Sequence, residues 1–200
     1  MDKLDALTEQ LTRRLFVEME ASGRHVHVTK AQAIALFGHD LTPARPLSQP
    51  GQFLAQERVS VLGPKGKLDG VAVLGPCRPE GQVEISLTDG KTLGITPPVR
   101  LSGDVQGSPG AALVGPNGTV SLDQGVIAAQ RHIHITPADA ALQHVSDGDT
   151  VKLKTLTKRP VVFENVAVRV SDKFQTYVHL DFDEANAACI GKDAAGIIIK

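Results

Sequence analysis

The hexapeptide Arg24-His-Val-His-Val-Thr29 recurs as Arg131-His-Ile-His-Ile-Thr136, an offset of 107 in a chain of 200 residues. Each copy places two histidines two residues apart among β-branched residues, the composition of a strand. Side chains at i and i+2 of a strand point to one face, with Cα atoms roughly 6.6 Å apart, twice the rise per residue. Two imidazoles at that spacing can converge on one metal ion, and imidazole is the commonest metal ligand near neutral pH.

The repeat predicts a third ligand in each half. Val71-Ala-Val73 matches Val166-Ala-Val168 at an offset of 95. At that offset Val83-Glu-Ile-Ser-Leu87 falls opposite Val178-His-Leu-Asp-Phe182, which makes Glu84 and His179 equivalent. Both lie in stretches that alternate apolar and polar residues. Two triads result: His25, His27 and Glu84, and His132, His134 and His179. Three N/O ligands with a fourth position open is the pattern of a zinc site that does chemistry. Spacing alone leaves zinc, iron and manganese open, and a nitrogen-rich set without thiolate favours zinc or another late divalent ion. His39 and His144 fall outside the repeat and read as surface residues.

The elements that must hold these triads are short and mostly extended. Val59-Ser-Val-Leu62 and Val71-Ala-Val-Leu74 flank the turn Gly63-Pro-Lys-Gly66, and Asp147-Gly148 is a turn feeding Val151-Lys-Leu-Lys154. Nineteen Gly and twelve Pro punctuate many such Val/Ile/Leu runs. Thr29 and Thr136 read as caps of short helices. Pro137 suits a first helical position, and Asp139 the positive end of the dipole. The fall in offset from 107 to 95 gives the first half 12 extra residues, which the Pro-rich stretch 41–56 accommodates. The expected fold is mainly β and internally duplicated: two small β-barrels with short capping helices, one over residues 20–110 and one over 111–200.

Residues 1–19 have no counterpart in the second half. Leu4, Leu7, Leu11 and Leu15 form a helical stripe, with Asp2 and Asp5 near its start and Arg13-Arg14 near its end. Such a helix either packs on its own barrel or docks on another protein. It lacks the basic start and continuous apolar run of a secretory signal. A net charge of −1 provides no basic field for nucleic acid, and no apolar run reaches membrane-spanning length. Cys77 and Cys189 form no C-x-x-C pair and imply no disulfide framework, which suits a reducing cytosol.

Several ordered motifs carry a family resemblance over about residues 20–190. They are Ser22-Gly-Arg-His-Val-His-Val-Thr29, Gly63-Pro-Lys-Gly66, Leu74-Gly-Pro-Cys-Arg78, Gln82-Val-Glu-Ile-Ser86 and Ser102-Gly-Asp104. Ala129-Gln-Arg-His-Ile-His134, Asn165-Val-Ala-Val-Arg-Val170 and His179 to Ala188 continue the series. Together they resemble the PduL-type phosphate acyltransferases (phosphotransacylases, phosphate propanoyltransferases) of bacterial microcompartments. The resemblance implies two β-barrels capped by short helices. It also implies reversible conversion of a short-chain acyl-CoA, propanoyl or acetyl, plus phosphate to acyl phosphate plus CoA, with no covalent acyl-enzyme. It implies two Zn²⁺ per chain, one on each triad, with Glu84 essential to catalysis. Arg78 matches the family's phosphate-binding arginine, a planar fork suited to bidentate contact. Ser22, Gly23, Lys65 and Asn186 fall where the family contacts coenzyme A. The N-terminal extension would direct the enzyme into a cytoplasmic microcompartment, against shell or lumen proteins. A homodimer is the default assembly for such an enzyme.

Two other readings use the same residues. A zinc thioesterase would employ water in place of phosphate, and Arg78 speaks against it. A non-catalytic, metal-stabilised scaffold of the microcompartment would need closed four-ligand sites. Cys77 beside Arg78 reads as a small buried residue rather than a nucleophile. Arg24 and Arg131 face away from the histidines and are expected to tie their strands to neighbouring carboxylates.

Overall fold

The computed structural model describes residues 2–200. In chain order its elements are α1 (Lys3–Leu15), β1 (Val17–Ser22), β2 (His25–His27), α2 (Lys30–Phe37), β3 (Pro43–Pro46), β4 (Phe53–Leu62), β5 (Lys67–Gly75), β6 (Gln82–Glu84), α3 (Leu87–Leu93) and β7 (Val99–Arg100). There follow β8 (Ala111–Val114), β9 (Thr119–Leu122), β10 (Val126–Ala129), β11 (His132–Ile135), α4 (Pro137–Gln143), β12 (Thr150–Thr155), β13 (Val162–Val170), β14 (Tyr177–Asp181), α5 (Phe182–Ala187) and β15 (Ala194–Ile199). The fold is mainly β, as its short Val/Ile/Leu runs require.

Two compact units divide the chain. A central unit spans Gly23–Ala129, and a terminal unit joins the residues up to Ser22 with Gln130–Lys200. The division follows from an exchange of strands. β1, from the first sequence half, pairs in parallel with β14 of the second, Met19 against Val178 and Glu20 against His179. β10, from the second half, pairs in parallel with β6 of the first, Val126 against Val83 and Ile127 against Glu84. At the offset of 107, β1 and β10 are equivalent strands. Each half therefore lends its leading strand to the other half's sheet.

The terminal unit is a closed six-stranded barrel in the order β1-β14-β11-β13-β12-β15. Its six-residue closing strand, β15, pairs antiparallel with both β12 and β1. The central unit repeats the arrangement as a curled nine-stranded sheet rather than a closed barrel. The strand in the position of β15 is β7, only two residues long, and it reaches β10 alone. On the other side β4 pairs with the β8–β9 hairpin instead. The Pro-rich insertion supplies β3, an edge strand on β4 where proline costs no ladder bond.

Each unit has its own apolar core. Val26, Val28, Val59, Val61, Val71, Val73 and Leu93 pack in the central unit. Val17, Met19, Ile133, Ile135, Leu153, Val168 and Leu180 pack in the terminal one. The central residues of the H-x-H strands, Val26 and Ile133, are 0% exposed, and the flanking histidines point to the opposite face.

α1 is capped by Asp2, with Asp5 completing a capping box. It buries no side chain, and Leu4, Leu7, Leu11 and Leu15 are exposed. Polar contacts attach its last turn to the barrel. Arg13 is paired with buried Asp139 at 2.6 Å, and the Gln143 amide donates to the Arg13 and Phe16 carbonyls.

The division of labour between α1 and β1 is testable by truncation. A chain lacking residues 1–15 is expected to keep one cooperative unfolding transition. Removing residues 1–22 takes Val17 and Met19 from the core, worth ~1.5–3 kcal/mol each, and leaves β14 and β15 without their shared neighbour. That chain is expected to lose its cooperative transition in thermal circular dichroism.

Candidate metal centres

The ligand triads form as rows across adjacent strands. In the central unit His25 of β2 stands opposite Glu84 of β6 and Ala72 of β5. In the terminal unit His132 of β11 stands opposite His179 of β14 and Ala167 of β13. Within each triad the three ligand atoms lie within 4.8 Å of one another. Five of the six side chains are buried; His179 is partly exposed.

The same local device ends all four ligand strands. Two residues beyond the last ligand comes a helix N-cap: Thr29 after His27, Ser86 after Glu84, Thr136 after His134 and Asp181 after His179. Each cap's side-chain oxygen accepts from the backbone N–H three residues on. The strand is thus anchored where the ligands sit. The arginines of the repeats brace the neighbouring helix. Arg24 pairs with Asp89 in the first turn of α3 at 2.8 Å. Arg131 pairs with Glu184 in the first turn of α5 and donates to the Glu164 carbonyl at 2.7 Å.

In the central triad the charges are fixed by the fold. His25 Nδ1 lies 2.8 Å from the Gly23 carbonyl, which sets that nitrogen as the N–H donor. Its Nε2 lies 3.5 Å from Glu84 Oε2, and His27 Nε2 lies 3.8 Å from Glu84 Oε1. Burial pushes His27 down to about 3, helped by the charges of His25 and Arg78, so its ring is neutral. Burial alone would raise Glu84, but the charge and hydrogen bond of His25 outweigh it and hold the carboxyl well below its usual range. Burial opposes a proton on His25 as well, yet the facing Glu84 carboxylate raises it. An ionised buried carboxylate facing two imidazoles is a field that favours positive charge. Two imidazole nitrogens and one carboxylate oxygen therefore fit a divalent metal.

Arg78 is joined to this triad through Ser102. Arg78 Nη1 donates to Ser102 Oγ at 2.9 Å, and Ser102 Oγ donates to Glu84 Oε1 at 2.6 Å. Gln82 completes the network. Its amide donates to both Glu84 Oε1 and Ser102 Oγ, and its oxygen accepts from Gly103 N at 2.8 Å. Gln82 and Ser102 lay within the motifs of the sequence but carried no assigned role. Gln82 was findable, because it lies two residues before Glu84 and so shares its face. Ser102 had no local signal, since it meets Glu84 only through tertiary folding.

In the terminal triad the rings of His132 and His134 are 4.6 Å apart, those of His132 and His179 5.1 Å, and those of His134 and His179 4.8 Å. His132 Nδ1 lies 2.8 Å from the Gln130 carbonyl, repeating the His25–Gly23 contact 107 residues on. His134 stacks on Phe174 at 4.1 Å, and the Arg169 guanidinium covers Phe174 at 5.8 Å.

A family profile described as phosphate propanoyltransferase matches residues 18–191. A phosphate propanoyltransferase of Listeria monocytogenes is 50% identical over 98% of this chain and 95% of its own. One of Clostridioides difficile is 47% identical over 98% and 97%, and one of Leptotrichia buccalis is 52% identical over 91% and 87%. The chain belongs to the phosphate propanoyltransferase family. It is accordingly a transferase that exchanges an acyl group with phosphate.

The remaining family positions are distributed over both units. Ser22 ends β1 opposite Asp181, the cap of α5, and Asn186 is exposed on α5 itself. Gly23 supplies the carbonyl that orients His25. Lys65 is exposed in the β4–β5 turn, its N–H bonded to the Leu93 carbonyl at 3.0 Å and its stem lying against Gly94. Burial first, then the Asp40 carboxylate, pushes the Cys77 thiol up, the wrong direction for a nucleophile. His39 and His144 are exposed and belong to neither triad, and His144 closes α4 in a left-handed conformation.

The Ser102 bridge can be tested by removing its hydroxyl. Ser102→Ala leaves Glu84 Oε1 short of a donor, and such a loss costs ~1–3 kcal/mol. The expected result is a lower urea midpoint with an unchanged m-value.

Proposed function

We propose that the chain is a di-zinc phosphotransacylase that interconverts a short-chain acyl-CoA, propanoyl or acetyl, and phosphate with acyl phosphate and free CoA. The observation that carries this reading is the chain of hydrogen bonds from Arg78 through Ser102 to Glu84. It couples an anion anchor to a metal-ligand triad in a chain of this family. A hydrolase has no use for such an anchor.

His25, His27 and Glu84 would hold one zinc ion, and His132, His134 and His179 the other. Zinc, when bound, supplies a Lewis acid for a thioester carbonyl and a partner for a departing thiolate. Arg78 binds phosphate and aims one of its oxygens at the carbonyl carbon. Because Ser102 holds one guanidinium nitrogen, the planar fork is fixed before phosphate arrives, and positioning is what a weak nucleophile needs. The new C–O bond forms as the C–S bond breaks, and CoA leaves as thiolate. Phosphate attacks directly, so Cys77 forms no acyl-enzyme. Ser22, Gly23, Lys65 and Asn186 hold CoA.

The protein works as a homodimer inside a bacterial microcompartment. The exposed leucines of α1, carried on a capped helix that buries nothing of its own, support a docking role toward a shell or lumen protein for the helical part of residues 1–19, while Val17 and Met19 belong to the barrel. No helix among the described residues is long and apolar enough to cross a membrane.

Metal analysis of the purified chain, paired with thiol release from propanoyl-CoA and acetyl-CoA with and without phosphate, tests the assignment. The expected result is about two zinc ions per chain, as two three-ligand sites require, and release only when phosphate is present. Release without phosphate would make the protein a thioesterase. Arg78→Ala is expected to raise the phosphate KM by about 10- to 100-fold, the value of one charge-assisted hydrogen bond. Its zinc content should stay at the wild-type level, and a fall would overturn the role given to Arg78.

A further inference from the structure

Glu20 occupies a place in the terminal unit that the repeat leaves open to comparison. It lies on β1 directly opposite His179, and its Oε1 is 3.1 Å from His179 Nδ1. Its carboxylate is partly exposed and His179 is nearly covered, with side-chain exposures of 39% and 11%. β1, β14, β11 and β13 thus carry one row of side chains: Glu20, His179, His132 and Ala167. The equivalent row on β10, β6, β2 and β5 reads Ile127, Glu84, His25 and Ala72.

The two rows differ at the third ligand and at the residue beside it, and the differences match. An imidazole ligand has a second ring nitrogen whose proton needs an acceptor; without one the tautomer and the ring angle are free. His179 has a carboxylate at that position. A carboxylate ligand needs donors, and a second carboxylate beside it would repel it. Glu84 has Ser102 and Gln82 as donors, and its neighbour along the row is apolar Ile127, which is 0% exposed. His132 and His25 sit at the same row position in both halves, and both satisfy Nδ1 with a backbone carbonyl.

We infer that Glu20 is a positioning residue for the terminal metal centre: it accepts the Nδ1 proton of His179, fixes the tautomer that bares Nε2 to the triad, and increases that nitrogen's strength as a ligand. The inference rests on the di-metal reading above. Glu20 meets His179 at Nδ1, so its effect is on how tightly the terminal centre holds metal.

The test is zinc affinity, read by stepwise competition with a chromogenic chelator on the full chain, for wild type, Glu20→Gln and Glu20→Ala. Wild type is expected to release two zinc ions in two steps. In Glu20→Ala one step should weaken about 10- to 100-fold, the usual cost of losing an outer partner of a histidine ligand, and the other should stay in place. Glu20→Gln keeps an acceptor oxygen and should recover most of the affinity, which a general loss of folding would not predict. Two unchanged release steps in folded Glu20→Ala would overturn the role of Glu20 and leave the di-metal reading standing. Wild-type protein that binds no zinc would overturn both. If Glu20→Ala fails to fold, Glu20→Ser, which keeps a polar but shorter side chain, gives the same comparison: equal affinity with wild type overturns the inference.

Discussion

Strand register is the constraint on which the rest of this structure depends. A two-residue period sends both histidines of each H-x-H to one face and the intervening Val26 or Ile133 into the core. A slip of one residue would turn the ligands into the core and the core residue out. Register across the ladder then selects the third ligand, because only the residue opposite His25 or His132 can complete the triad. Fully buried apolar partners on each side hold that register: Val26 against Val83 and Val73, and Ile133 against Val178 and Val168. The N-caps two residues beyond the last triad residue of each strand stop that strand from fraying toward the site. Core packing and ligand geometry are therefore one constraint seen from the two faces of the same short strands.

The exchange of β1 and β10 follows from duplication in a continuous chain. Each half brings a leading strand, a ligand strand and a third-ligand strand. The leading strand pairs in parallel, and a parallel neighbour needs a long connection. In its own half the free edge lies beyond the third-ligand strand, two strand spacings (about 9.6 Å) from the ligand strand, and the two residues between Ser22 and His25, or between Ala129 and His132, are too few to cross that distance and reverse direction. Across the other half's third-ligand strand it finds a free edge. The outcome is asymmetric closure. Six residues of β15 bridge β12 and β1 and close the terminal barrel, while two residues of β7 leave the central sheet open. The open edge of β4 is covered by the β8–β9 hairpin, which manages an otherwise exposed ladder.

What could be read from the chain were the features with local or periodic signals. The repeated hexapeptide, the two offsets, the threonine caps and the β composition lead to both triads and to the mainly β fold, and the structure forms both triads. The docking of α1 could not be read in that way. Its leucine stripe is real, yet the Arg13 side chain and the Arg13 and Phe16 carbonyls make the contacts with Asp139 and Gln143. Strand exchange was illegible because a strand's composition does not name its partner. Ser102 was illegible for the same reason: a serine in a turn after β7 becomes part of the centre only when the loop folds over Glu84. Glu20 had a faint signal, an acidic residue at the position where the repeat carries Ile127, but its meaning needs the register with His179.

The two triads look electrically unequal and become alike when the row is extended by one residue. His25, His27 and Glu84 bring one negative charge to their centre; His132, His134 and His179 bring none. Adding the next position places Glu20 behind His179 and apolar Ile127 behind Glu84, so each row carries a single carboxylate. In one half it belongs to the triad itself, and in the other it stands behind the triad's third histidine, 3.1 Å from its Nδ1. Direct carboxylate contact lowers the effective charge of a bound divalent ion more than a carboxylate held behind an imidazole. Arg78 stands beside the triad that holds Glu84, joined to it through Ser102, where its charge offsets that of the carboxylate. In the other half Arg169, the cross-strand neighbour of His134, lies over the ring of Phe174, on which His134 also stacks. Duplication thus supplied two similar frames that differ at Glu84, Ile127, Glu20 and His179, and the central one carries an arginine, Arg78, hydrogen-bonded through Ser102 to its carboxylate.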